Sequence, residues 1–207
     1  MAELDKIYLF RMTHIDNIPH ILQYGITHSS SKNANAKFVP IGDNTIINTR
    51  NNFLLNNGKR LGEYIPFYFS KRTPMLYVIQ KGYNSVAVTQ AEKIVYCVSS
   101  IQKIVDQKLD FIFTDGQANS RLSSQFTILD IENVNKIIDK KAIKDTYWDD
   151  EKDLDKKRRK EAEFLIHNDI DIAAILGYVV YNENAKKRMT DFGVNESQIS
   201  VKSNYYF

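Results

Sequence analysis

The sequence alternates short β-rich runs with short capped helical segments, and this alternation confines it to a mixed α/β architecture. Ile7 to Met12 reads as an opening strand. A helical segment follows with Asn17 as its N-cap, Pro19 in its first turn, and Ile18, Ile21 and Leu22 at helical spacing up to Gly25. Ile65-Pro66-Phe67-Tyr68-Phe69 reads as a buried strand, and Thr73-Pro74 supplies a cap and a first-turn proline for a helix from Met75 to Lys81 ended by Gly82. Strands are expected at Lys93–Val98 and Phe111–Thr114, with a helix between them capped by Ser99 or Ser100. Further strands follow at Ala162–Ile166, Ile175–Tyr181 and Ile199–Val201, with a helix over Asn184–Phe192. At ~150 residues per domain, 207 residues suit one domain with long loops.

Two stretches do not fit the alternation. Thr27 to Asn44 has three serines in a row, three asparagines and Pro40 but no period, and compact domains seldom keep so long a loop without a function. Asp115 to Lys160 is polar, anchored only by Ile128-Leu129, Val134, Ile137-Ile138 and Ile143. It ends in the run Lys156-Lys157-Arg158-Arg159-Lys160, which reads as a solvated helix face or, less favoured, a phosphate-contacting patch.

With 28 basic against 25 acidic residues the net charge is only +3, too small for wholesale phosphate neutralisation, so any nucleic-acid contact is local. A single cysteine, Cys97, excludes an internal disulfide and sits in an apolar strand as a small hydrophobe. The start Met1-Ala2-Glu3-Leu4-Asp5-Lys6 lacks a signal pattern, and the longest apolar run, Ile172–Tyr181, is half a membrane span. The expected setting is the cytoplasm, away from membrane. Neither a glycine-rich phosphate loop nor a zinc motif occurs, and His14, His20 and His28 lack carboxylates at ligand spacing, so no metal is expected.

Glu163 breaks a local rule. Within Ala162-Glu163-Phe164-Leu165-Ile166 a carboxylate needs either a function or a partner, or else Glu163 and Leu165 share a face turned partly to solvent. Arg50, closing Thr45-Ile46-Ile47-Asn48-Thr49-Arg50, is by itself uninformative at a strand or helix end.

Taken in order, several blocks resemble the DarT family of DNA ADP-ribosyltransferase toxins. They are Tyr8–Asn17, Thr49-Arg50-Asn51, Ile65-Pro66-Phe67-Tyr68-Phe69-Ser70 with Lys71-Arg72-Thr73-Pro74-Met75-Leu76-Tyr77, Phe113-Thr114-Asp115-Gly116, Tyr147-Trp148 and Glu161-Ala162-Glu163-Phe164-Leu165-Ile166. The Pro-Phe-Tyr-Phe block with the following Arg and Pro-Met-Leu-Tyr is the most specific, and the likeness runs from Tyr8 to Phe207.

The resemblance implies an ADP-ribosyltransferase fold spanning 1–207, with a split mixed sheet flanked by helices. It implies an NAD-covering element at about 34–52, a substrate-presenting loop at about 117–163, and NAD as co-substrate. By the same likeness Arg50 and Glu163 are catalytic. Arg11, Met12, Thr13, His20, His28, Arg50 and Tyr68 hold NAD, while Arg72, Gln117, Tyr147 and Trp148 hold single-stranded DNA. A strand-end Arg50 would orient the acceptor base and help its proton leave. The implied partner besides DNA is a cognate antitoxin that removes the mark or masks the toxin.

Two departures bear on the base. Arg11-Met12-Thr13 stands where thymidine-modifying members usually have His-x-Thr, and Gln117 where they often have histidine, which leaves thymidine and guanosine both open. An NAD-dependent transferase acting on protein or RNA ends, and an inactive nucleic-acid-binding module, are the competing readings.

Overall fold

A computed structural model describes residues 3–207; Met1 and Ala2, which open the N-terminal reading above, lie outside the described residues. The β-rich runs form one eight-stranded sheet: β1 (Tyr8–His14), β2 (Tyr64–Tyr68), β3 (Ile94–Ser100), β4 (Phe111–Thr114), β5 (Gln125–Phe126), β6 (Glu163–His167), β7 (Gly177–Val180) and β8 (Ile199–Val201). Their order is β5-β4-β6-β2-β1-β3-β7-β8, with every neighbouring pair antiparallel except the parallel β7–β8. Helices α1 (Ile18–Tyr24), α2 (Asn44–Asn52), α3 (Pro74–Lys81), α4 (Ile101–Asp106), α5 (Val134–Ile137), α6 (Lys140–Lys144), α7 (Lys156–Lys160) and α8 (Glu183–Asp191) lie between the strands. The fold is the expected mixed α/β sheet with helices. No helix among the described residues is long and apolar enough to cross a membrane.

Local chemistry explains most helix ends. Thr73 Oγ1 accepts from the Leu76 amide at 3.2 Å, so the Thr-Pro pair starts α3, and Gly82 at φ 75° ends it in the left-handed region. Ser100, rather than Ser99, caps α4. Asn17 stands at the start of α1 but does not cap it: its side chain donates to Thr13 Oγ1 and to the Val39 carbonyl instead, tying the long loop to β1.

Period two divides the core. Leu9, Val95, Cys97, Ile65, Phe67, Phe69, Phe164 and Ile166 point to one face, where they join the main cluster. The other face carries two smaller clusters. One, around Tyr64, Ile112 and Leu165, lies on the β4–β6–β2 half, and the other, around Leu76, Ile79, Tyr96 and Tyr206, lies on the β1–β3–β7 half. The gap between these two clusters falls over the β1–β2 seam.

The polar stretch contributes more to the core than its composition suggests. Val134 and Ile138 are buried, as is Ile131, whereas Ile128 and Leu129 stand exposed, since the helical turn starting at Ile128 turns Ile131 inward instead. Apart from the exposed Lys157, the basic run is neither a solvated face nor an open phosphate patch. Arg158 pairs with Asp155 and Asp115, Arg159 with Asp139, Asp153 and Asp155, and Lys156 with Asp145 and Asp150. Lys160 is fully buried.

Candidate active site

The seam between β1 and β2 is a split. β1 pairs with β3 along its whole length, from Tyr8↔Ser100 to His14↔Ile94, but meets β2 only at Phe10↔Tyr68. Pro66 helps to explain this. Its carbonyl accepts from Arg11 Nη1 at 3.0 Å, so the side of Pro66 that lacks an N–H faces β1 and cannot continue the ladder. The Arg11 guanidinium fills part of the opening, and burial pulls its pKa down.

On β2 and β6, Tyr68 stands opposite Glu163, which puts both side chains on the face with the gap. The cavity there, of about 180 Å³, is lined by residues of β1 (Arg11, Met12), β2 (Pro66, Tyr68), α2 and α3, by Gln117, Glu161 and Glu163, and by the end of the long loop from Phe38 to Asp43. Burial, then Glu163, pushes the Tyr68 phenol well above its ordinary value, so it remains a neutral hydroxyl.

Glu163 is only 1% exposed, so it takes neither a solvent-facing nor an apolar place: it is paired. Arg50 Nη1 donates to both of its oxygens, at 3.1 and 2.8 Å, and the Ala118 amide donates to Oε1 at 2.9 Å. Glu163 and Leu165 do share a face, as period two requires, but that face lies beneath the cavity. Arg50 lies not at a strand end but at a helix end, in the last turn of α2, whose N-cap Asp43 accepts from the amides of Thr45 and Ile46. Burial works to lower the Arg50 pKa and adjacent Glu163 more than reverses it, so the guanidinium stays charged. Its Nη2 is buried and has no hydrogen-bond partner among the described residues.

Gly116 makes the Ala118 contact possible. A Cβ there would come within 2.9 Å of the Arg158 carbonyl oxygen, so only glycine lets the turn after β4 lie against α7 and aim the Ala118 amide at Glu163.

Of the residues expected at the site, the cavity brings together Arg11, Met12, Arg50, Tyr68, Gln117 and Glu163. Thr13 is buried beside it with its hydroxyl accepting from Asn17. His20 and His28 stand off the lining: His20 Nε2 meets Thr27 Oγ1, and the His28 amide donates to Asp169. Arg72 and Trp148 meet elsewhere, at Phe207. The Arg72 guanidinium lies 4.3 Å over that ring, and Trp148 packs edge-on against Phe207 and Tyr77, with Tyr147 exposed alongside in the chain.

Sequence reasoning passed over Glu161. It lines the cavity almost wholly buried, and desolvation, aided by Glu163, raises its pKa to about 7, so it exchanges a proton near neutrality. It follows α7 as its C-terminal cap, just before β6, so strand periodicity gives no signal for it. The described residues contain no cluster of three or more metal-ligating side chains.

The fold that carries this split sheet and its buried glutamate matches solved structures over nearly its whole length. The chain is similar to Thermus sp. 2.9 DarT in complex with ADP-ribosylated ssDNA, with a TM-score of 0.82, 27% identity, and 97% and 96% of the two chains covered. It is likewise similar to the NAD+ complex of that protein, at TM-score 0.80, 27% identity and 100% and 99% coverage. A family model described as "ssDNA thymidine ADP-ribosyltransferase, DarT" matches residues 10–207, and the chain belongs to the DarT family. Among relatives, a DNA ADP-ribosyl transferase of Thermus sp. (strain 2.9) is 31% identical over 96% of this chain and 95% of its own. A DNA ADP-ribosyl transferase-DNA ADP-ribosyl glycohydrolase fusion protein of Thermosipho africanus is 29% identical over 79% of this chain and 39% of its own.

Proposed function

We propose that this chain is an NAD-dependent DNA ADP-ribosyltransferase that moves ADP-ribose from NAD to a base in single-stranded DNA and releases nicotinamide. The observation that carries the reading is the buried Glu163 carboxylate, oriented by Arg50 and the Ala118 amide beneath a cavity in the split sheet.

Cleaving the nicotinamide bond builds positive charge on the ribose, as in glycoside hydrolysis, and a fixed carboxylate in a water-poor pocket stabilises that charge. Glu163 takes this role. Arg50 holds it and offers its free Nη2 to the acceptor base or the ribose. Tyr68, opposite Glu163, packs on nicotinamide, and the enclosed volume suits that end of NAD rather than the whole dinucleotide. The rest of NAD is assigned to Arg11, Met12, Thr13, His20 and His28 under the segment 34–52, of which Phe38–Asp43 and α2 form one wall of the cavity. The segment 117–163 presents the DNA through Gln117, with Arg72, Tyr147 and Trp148 as backbone and stacking contacts.

Thymidine is the acceptor that the family description names. Guanosine is the second reading, favoured by Gln117, whose amide lines the cavity with both a donor and an acceptor. The Thermosipho africanus fusion supports an antitoxin partner that hydrolyses the mark, and a DNA substrate fits a cytoplasmic enzyme.

Four single-stranded oligonucleotides, each lacking one base, are incubated with NAD and analysed by mass spectrometry. The expected result is one added ADP-ribose on every strand except the one lacking the acceptor, with Glu163→Gln slower by ~10²–10³. Labelling of protein or RNA with no DNA adduct would replace this reading with the protein or RNA-end transferase.

A further inference from the structure

The β1–β2 split opens at both ends. Arg11, Met12 and Pro66 line one mouth, Tyr8, Phe10 and Ser70 line the other, and the Phe10–Tyr68 pair stands between them. The second mouth is a groove of about 880 Å³, far larger than the catalytic cavity.

Its lining is unusual for this chain. Lys6, Lys71, Lys140 and Lys144 face a single carboxylate, Glu3, so the groove carries +3, as much as the formal net charge of the entire chain. Glu3 pairs with Lys6 at 2.8 Å, while Lys71, Lys140 and Lys144 have no ion pair among the described residues. Elsewhere the opposite happens: Lys156, Arg158 and Arg159 of α7 are paired with six aspartates. Lys140 and Lys144 are one turn apart on α6, and both are exposed. Lys71 Nζ stands 4.1 Å over the Tyr205 ring, and Tyr8 leaves 51% of its surface exposed. Unpaired ammonium groups alternating with accessible aromatic rings are what an unpaired nucleic-acid strand recognises: phosphates on the lysines, bases on the rings.

We propose that this groove holds the sugar-phosphate backbone and neighbouring bases of the substrate strand beyond the reactive nucleotide, with Lys71, Lys140 and Lys144 as phosphate contacts and Tyr8 as a stacking platform. The proposal rests on the DNA-transferase reading and deepens it. Only the flanking nucleotides lie at this mouth; the reactive base meets NAD in the catalytic cavity, past the Phe10–Tyr68 pair. α6 belongs to the segment 117–163, so the element assigned to presenting the base also grips its flanking chain.

The test is fluorescence anisotropy with a labelled single-stranded 12-mer without NAD, comparing Lys140→Glu/Lys144→Glu with the charge-matched surface control Lys93→Glu/Lys187→Glu. The groove variant is expected to bind ~tenfold more weakly, with a salt slope reduced by ~1.4, two single-strand phosphate contacts' worth, and the control to bind like wild type. Tyr8→Ala is expected to weaken binding at least ~fivefold. In turnover, the loss falls on KM for the 12-mer and not on the shortest reactive oligonucleotide. Equal weakening in both charge variants, no weakening in either, or wild-type binding of a polyglutamate peptide or of anionic vesicles in place of the strand overturns the proposal. Strand binding that depends on Lys140 and Lys144 without any ADP-ribose adduct would sink the transferase reading and leave the groove standing.

Discussion

Glu161 and Glu163 lie two residues apart and carry opposite consequences. Glu163 has a guanidinium and an amide on its oxygens, whereas Glu161 is buried with no such partner, and its pKa rises to about 7. A carboxylate with a raised folded pKa stabilises the fold fully below its ordinary value near 4.5, and that contribution is lost as pH climbs through 7. At ~1.4 kcal/mol per pKa unit the loss approaches ~3 kcal/mol above neutrality. Glu161→Gln is therefore expected to match wild type at pH 4.5 and to exceed its stability by up to ~3 kcal/mol at pH 8, measured by urea unfolding. A constant difference across that range would show that Glu161 is not held protonated. Glu163 was legible in the sequence because a charge inside an apolar strand breaks a local rule. Glu161 was not, because it precedes the strand beside a basic run where a carboxylate needs no explanation.

Among the elements, those with a cap and an apolar period were readable, and α2 was not. Asn44–Asn52 has no acidic first turn and little apolar periodicity, and its helix rests on the Asp43 cap and on packing at the cavity, neither visible as spacing. The basic run misleads for a related reason: nothing in five consecutive cations says that Lys160 turns inward. Its Nζ donates to Ser70 Oγ and to the carbonyls of Ala142, Ile143 and Asp145, fastening α6 and the chain before Trp148 to the end of β2. Burial lowers its pKa to about 8, a cost that the four acceptors offset. In Lys160→Met that cost disappears, but the acceptors lose their donor at ~1–3 kcal/mol for each group left unsatisfied, so the loss wins. Hydrogen exchange is expected to quicken by at least ~tenfold at residues 140–148, while the β1–β3 amides keep their protection. Uniform loss of protection would mean that Lys160 supports the whole fold rather than this segment.

For the whole molecule, a net charge of +3 spread evenly would barely steer a polyanion, but pairing makes the distribution uneven. Lys156, Arg158 and Arg159 of α7 are taken up by the aspartates around them, whereas the groove at the second mouth of the split gathers three lysines without an ion pair among the described residues. Those three lysines and Arg72 meeting four phosphates of a single strand give a salt slope of ~−3, so affinity for an oligonucleotide falls ~fiftyfold between 50 and 200 mM salt. That is a modest dependence, and it separates two pictures. A slope near zero would leave binding to stacking on Tyr147, Trp148 and Tyr8 alone, whereas a slope near −6 would require most of the surface cations, including those now paired on α7, to change partners. The intermediate value follows from where the ion pairs are, a property of the folded arrangement that the sum of charges in the sequence does not contain. Anisotropy titrations across that salt range, with wild-type protein and an unreactive strand, measure it directly.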